Sequence, residues 1–196
     1  TPQFMTNNEL MEFQAAIQSK NHDGEVLGSQ EEHLKLSDLL GNFEFVKDSS
    51  IVSFVLGEEG ETSGVFKKVF GTIDLNKEVH ESALTVMLNL DDFTTFNGFR
   101  DESLMEKSYF NQVKYPTLSY VSLSMEKIDA FTYKVLGNFE MLGVSQPVEV
   151  TLKWIEINGV SFLIGEGALD RTLFGMSPSA TEGNIVSFNY RVQLNR

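Results

Sequence analysis

Nucleophilic catalysis needs a serine or cysteine held beside a base, and this 196-residue chain offers few places to arrange one. It has no cysteine, which removes thiolate nucleophiles, disulfides and cysteine-based metal sites and leaves the redox compartment open. Gly143-Val144-Ser145-Gln146-Pro147 begins like a nucleophile elbow, but the second glycine is missing and no strand-to-helix switch follows. It reads as a hairpin turn. Asp91-Asp92 has the composition of an acid–base pair, yet neighbours in a strand point to opposite faces, so the pair reads as the solvated start of a loop. His22 and His33 lie in an acidic link and His80 in a turn, without the helical spacing of metal ligands. There is no P-loop, dinucleotide fingerprint or HExxH. The expectation is a non-enzyme with no catalytic residue, no metal and no catalytic cofactor.

The charge narrows the partners. Fifteen Lys and Arg against 28 Asp and Glu give a formal charge of -13, the wrong sign for tracking phosphates or an anionic membrane surface. No stretch approaches the roughly 18 apolar residues of a membrane span. The start, TPQFMTNNEL, has no basic region followed by an apolar run, so an exported protein would have lost its signal from this sequence. Sixteen Phe, five Tyr and one Trp tilt the apolar stock toward β structure.

The elements divide at about residue 40. Leu10, Met11, Phe13, Ala16 and Ile17 recur at helical spacing, so residues 1–40 read as an N-terminal helix and a polar linker, NHDGEVLGSQEEH. From 41 to 196 short alternating runs recur every 10 to 14 residues between Gly, Asn and Asp turns. Val52, Phe54 and Leu56 share a face, as do Leu84, Val86, Leu88 and Leu90, and Phe188, Tyr190, Val192 and Leu194. In Gly64–Leu75 the parity breaks at Phe70, which predicts a bend near Gly71. Further runs at Leu118–Leu123, Phe131–Met141, Val148–Ile157 and Ser161–Asp170 bring the count to eight or nine strands joinable by hairpins. That favours a sheet closed into an up-and-down barrel. One short helical insert, between the aromatic loop DDFTTFNGF and Tyr115-Pro116, is placed to cover the barrel mouth. Alternation alone does not separate a filled interior from a tunnel. A filled barrel acting as a protein-interaction module through its acidic surface or N-terminal helix is the alternative.

Several separated motifs then fall in one order: Ser50-Ile51-Val52-Ser53-Phe54, Gly64-Val65-Phe66, Gly71-Thr72-Ile73, Arg100-Asp101 with Leu104 and Phe110, and Tyr115-Pro116-Thr117 ending in Tyr120-Val121-Ser122. Gly137, Met141-Leu142-Gly143-Val144 and Pro147 follow, then Leu169-Asp170-Arg171 with Phe174-Gly175-Met176. In these the chain from about Asn42 to Leu194 resembles the YceI-like family of bacterial polyisoprenoid-binding proteins. The resemblance implies a lipocalin-like antiparallel barrel whose tunnel holds a polyprenyl lipid or prenyl-quinone tail, in a periplasmic or otherwise exported protein. It implies a long-chain apolar lipid as partner, without stable membrane insertion, and leaves a homodimer open. Ser49, Leu142 and Ser103 stand where the family often has His, which makes the mouth or tunnel less polar.

A prenyl tail offers only methyl, methylene and alkene surface, so aromatic and branched walls must hold it, at about 0.8 kcal/mol per buried CH2. The wall residues expected on this basis are Phe54, Phe66, Leu88, Leu90, Phe93, Phe99, Leu104, Met105, Phe110, Tyr120, Phe139, Met141, Trp154, Leu169, Phe174 and Phe188. Arg100, Asp101 and Arg171 are the polar candidates near a head group.

Overall fold

The computed structural model describes residues 31–56, 62–177 and 183–196. Strands β1 (Glu31–Leu34), β2 (Gly41–Phe45), β3 (Ile51–Leu56), β4 (Thr62–Phe66), β5 (Phe70–Leu75), β6 (Ala83–Asn89) and β7 (Phe93–Thr94) precede the helix α1 (Gly98–Met105). After it come β8 (Thr117–Lys127), β9 (Thr132–Met141), β10 (Val144–Ile157), β11 (Val160–Asp170) and β12 (Ile185–Asn195). Antiparallel pairing runs β10-β9-β8-β6-β5-β2-β12 and returns through β11 to β10, which closes a barrel of eight walls. Three walls are interrupted strands: β3 continues β2, β4 leads into β5, and β7 continues β6.

Local sequence explains the meander. Asn158-Gly159 joins β10 to β11 with φ of 51° and 79°, and Leu142-Gly143 joins β9 to β10 with φ of 57° and 74°. Two successive positive values give the two-residue turn whose twist matches flanking strands. Gly143-Val144-Ser145-Gln146-Pro147 is therefore part turn and part strand, with Ser145 exposed opposite Glu140. The bend expected at Gly71 falls slightly earlier, at Lys67–Val69 between β4 and β5.

The lower end of the barrel is packed solid. Trp154, Tyr133, Ile73, Val135 and Leu152 are each 0% exposed, and Phe43 meets Trp154 edge to face at 4.9 Å. Residues 31–40 close this end, which corrects the expectation of a polar linker there. β1 pairs with β10 from Glu31↔Ile157 to Leu34↔Trp154, on the edge that β9 leaves at Thr132↔Lys153. Leu36 is buried, and its backbone N–H donates to the Tyr133 hydroxyl at 3.0 Å. His33 thus sits in a strand, with its ring 5.9 Å from that of Phe131. The helix expected over Leu10–Ile17 lies outside the described residues.

Candidate functional site

The upper part of the barrel is hollow. A cavity of about 180 Å³ lies above the packed floor, larger than the engineered apolar cavity of about 150 Å³ that stays dry and admits benzene. At roughly 24 cal/mol per Å³, leaving such a space unfilled costs on the order of 4 kcal/mol of packing.

The walls stay hollow because aromatic rings lie against glycines. Phe54 pairs with Gly64 across β3 and β4, Tyr190 with Gly165 and Phe188 with Gly167 across β12 and β11. A Cβ added at Gly64 would stand 2.5 Å from Cζ of Phe54, and one at Gly167 2.6 Å from Cζ of Phe188. Gly137 is covered in the same way by Tyr120, and Gly71 by Phe45. With no side chain on the facing position, each ring rests on the wall rather than projecting to the axis.

The polar atoms of these rings also serve the wall. The Tyr120 hydroxyl donates to the carbonyls of Val135 (3.0 Å) and Val148 (3.2 Å), and the Tyr190 hydroxyl to that of Thr151. Burial raises the pKa of both phenols, with Glu149 adding to the effect at Tyr120 and Tyr120 at Tyr190. They remain protonated donors.

The mouth is covered by α1 and the turns after it. Asn97 caps the helix by accepting from the Arg100 N–H at 3.1 Å. Asp101 ties the first helical turn to the end of β7: it accepts from the Thr95 N–H and the Thr94 hydroxyl, each at 2.7 Å, and from the Thr95 hydroxyl. This holds Leu104, Tyr109 and Phe110 against the cavity. Phe110 meets Phe93 edge to face at 5.5 Å, and Phe93 stacks on Phe54 at 5.4 Å. Opposite, the chain leaves β11 in a 3-10 turn, Arg171–Phe174, where Asp170 accepts from Thr172 N–H (2.9 Å) and hydroxyl (2.6 Å). Gly175, at φ 90°, ends that turn and sends Met176 back to the cavity.

Of the expected wall residues, the structure brings Phe54, Phe66, Leu88, Phe93, Leu104, Phe110, Tyr120, Phe139, Met141, Leu169 and Phe188 together around the cavity. Five stand elsewhere. Trp154 belongs to the floor, and Leu90 is buried in the 3-10 turn that separates β6 from β7. Met105 packs partly buried against the core, and Phe174 is fully buried with its ring edge-on to Phe139 at 5.6 Å. Phe99 is 88% exposed, because it falls on the solvent side of α1. Among the polar candidates Arg171 lines the cavity, whereas Asp101 is spent on the helix clamp and Arg100 does not reach the lining. Asp91 accepts from Gln112 at 2.7 Å and Asp92 pairs with Lys68 at 3.1 Å, so the two carboxylates do not act as one pair. The described residues hold no cluster of three or more His, Asp or Glu that could bind a metal, and no helix long and apolar enough to cross a membrane.

The lining also includes residues that the sequence reading left unassigned, among them Phe45, Val69, Tyr109, Val150, Leu163 and Met176. For Leu163 the signal was available in its shared parity with Leu169. Tyr109 and Met176 reach the cavity from segments outside the strands, where no alternation marks an inward face.

The family model described as YceI-like domain matches residues 43–195. Curated relatives include UPF0312 proteins of Photorhabdus laumondii, 30% identical over 86 residues, and of Yersinia pestis, 29% identical over 101 residues. These alignments cover 43% and 52% of this chain and 44% and 49% of the relatives, so the chain matches about half their length. Among solved structures, BcnA of Burkholderia cenocepacia superposes with a TM-score of 0.66 at 17% identity, covering 75% of this chain and 96% of BcnA. A polyisoprenoid binding domain of Saccharophagus degradans gives 0.60 at 9% identity, covering 78% and 97%. The YceI protein of Campylobacter jejuni gives 0.60 at 23%, covering 68% and 84%.

Proposed function

The chain belongs to the YceI-like family, and from that premise we propose that it binds a long apolar lipid, a polyprenyl or prenyl-quinone chain, for carriage or storage inside the barrel. The observation that carries this reading is the cavity itself. It is apolar along nearly its whole lining and kept open by rings laid on glycines. Leaving such a hollow unfilled costs several kcal/mol in packing, which an apolar chain seated in it would recover. The Saccharophagus degradans neighbour, a polyisoprenoid binding domain by name, lends support from the same fold.

The chemistry asked of the site is partition. Each methylene drawn from water contributes about 0.8 kcal/mol, offset by the entropy of ordering a flexible tail. No group of the lining needs to break a bond. The test is native mass spectrometry of the purified protein, followed by organic extraction. A stoichiometric lipid released by solvent supports the reading; a protein of bare mass that also takes up no prenyl quinone or prenol from micelles counts against it.

A further inference from the structure

The end of the barrel that α1 covers also leaves apolar side chains outside. Among the described residues the two most exposed large apolar side chains are Val113, at 100%, and Phe99, at 88%, one in the turns after α1 and one on the helix itself. Phe96 and Tyr109 on the same segment, and Leu173 in the 3-10 turn opposite, are exposed as well. These segments also serve the cavity. Tyr109 lines it together with Leu104 and Phe110, and Leu173 lies between Arg171 and Met176, which line it too. α1 has no fully buried residue, so packing does not call for an aromatic ring at Phe99. Phe96 is held at φ 59°, a value bulky residues seldom adopt, with its ring still outside.

Charge selects what this end can meet. Residues 96–114 carry Arg100, Lys107 and Lys114 against Asp101, Glu102 and Glu106, so the segment is neutral and the formal charge of -13 belongs wholly to the rest of the chain. An acidic face loses hydration against a bilayer and is repelled by anionic headgroups. Exposed Phe, Tyr and Val beside lysines, whose stems can lie along apolar surface, have instead the composition of a membrane–water interface. We propose that this end docks reversibly on a zwitterionic phospholipid bilayer, Phe99 and Val113 foremost, so that a lipid chain passes between bilayer and cavity without crossing water. The contact is superficial and spans nothing. It rests on the lipid-binding reading above and adds the surface from which the ligand is loaded.

The test uses the full chain and phosphatidylcholine vesicles carrying a prenyl quinone, with flotation of the protein and transfer of the quinone to it both measured. The double variant Phe99→Ser/Val113→Ser alters two exposed side chains that do not line the cavity, so its quinone uptake from detergent micelles should stay within about twofold of wild type. Its binding to vesicles, and its rate of uptake from them, should each fall about tenfold or more, because the apolar area those side chains would bury is gone. Adding phosphatidylglycerol at low salt should weaken wild-type docking through repulsion of the acidic remainder of the chain. A wild-type chain that does not float with the vesicles, or a double variant that takes up quinone from them as fast as wild type, overturns the proposal, while normal uptake from micelles leaves the lipid-binding reading standing. Docking that strengthens with phosphatidylglycerol overturns it in favour of a basic site. A wild-type dimer that the double variant dissolves, without vesicle binding, overturns it in favour of a second copy on this end. Failure to take up quinone from micelles as well as vesicles overturns both readings.

Discussion

Phe43 on β2 and Trp154 on β10 stand three strands apart around the ring, yet their rings meet edge to face at 4.9 Å with planes 76° apart. Such a contact crosses the barrel axis. It belongs to the filled floor, whereas the hollow part of the interior is lined from α1 and the turns after it as well as from the walls.

Truncating the floor should therefore cost stability without touching the walls of the cavity. Trp154→Ala should destabilise the fold by about 3–5 kcal/mol, as for large aromatic deletions in cores. Trp154→Phe should cost much less, because the indole N–H is buried without a partner and nothing is lost with it. Urea unfolding followed by circular dichroism measures both, and lipid uptake by the Phe variant should match wild type.

Leu88 and Leu90 share a parity but not a role. Leu88 faces the cavity, so Leu88→Trp should fill it and abolish uptake in a protein that still unfolds cooperatively. Leu90 lies in the packed turn below β7, where Leu90→Trp should destabilise by about 1–3 kcal/mol through overpacking. Loss of uptake in a stable Leu90→Trp variant, or normal uptake in Leu88→Trp, would refute the division.

The glycine-backed walls separate two kinds of alanine variant. At Gly167 an added Cβ meets chiefly the Phe188 ring, which can swing toward the axis; Gly167→Ala should shrink the cavity and weaken uptake of bulky tails with modest loss of stability. At Gly165 the nearest atom is the backbone carbonyl oxygen of Thr151, which cannot yield without breaking the sheet. Gly165→Ala should lower the melting temperature markedly more than Gly167→Ala. Similar melting temperatures for the two would contradict this account of the walls.

Strand parity made the wall faces legible from the residues alone: Leu84, Val86 and Leu88 line the cavity as a set, as do Phe188, Tyr190 and Val192. Depth along the axis was not legible. Alternation says which way Trp154 points and nothing about Phe43 opposite, a contact set by closure of the ring. The second half of β8 was hidden by a register shift between Ser122 and Ser124, which exposes Leu123 and turns Met125 inward. Glu31–Leu34 reads as polar linker because its strand pairing comes from a vacant edge of β10, a tertiary opportunity no local propensity records. Phe99 misled by its type, since an aromatic residue on a short helix goes wherever the helix face carries it.

Acid should loosen the mouth at the Asp170 turn. The Thr172 hydroxyl, and then its N–H, hold the Asp170 carboxylate below its ordinary value of 3.8, with Arg171 a lesser influence. A depressed carboxylate contributes stability that is fully present above that ordinary value and is lost as pH falls through the lower, folded value. The Thr172 amide proton, followed by NMR from about pH 6 downward, should shift with a midpoint below the ordinary carboxylate value. Asp170→Asn keeps an acceptor for the cap and removes the titration, so the same resonance should be flat in that variant. Because the turn also carries Arg171 and Phe174, lipid release in acid should track the Thr172 shift in wild type and lag behind it in Asp170→Asn. A Thr172 resonance that titrates identically in both proteins would assign the transition to another group.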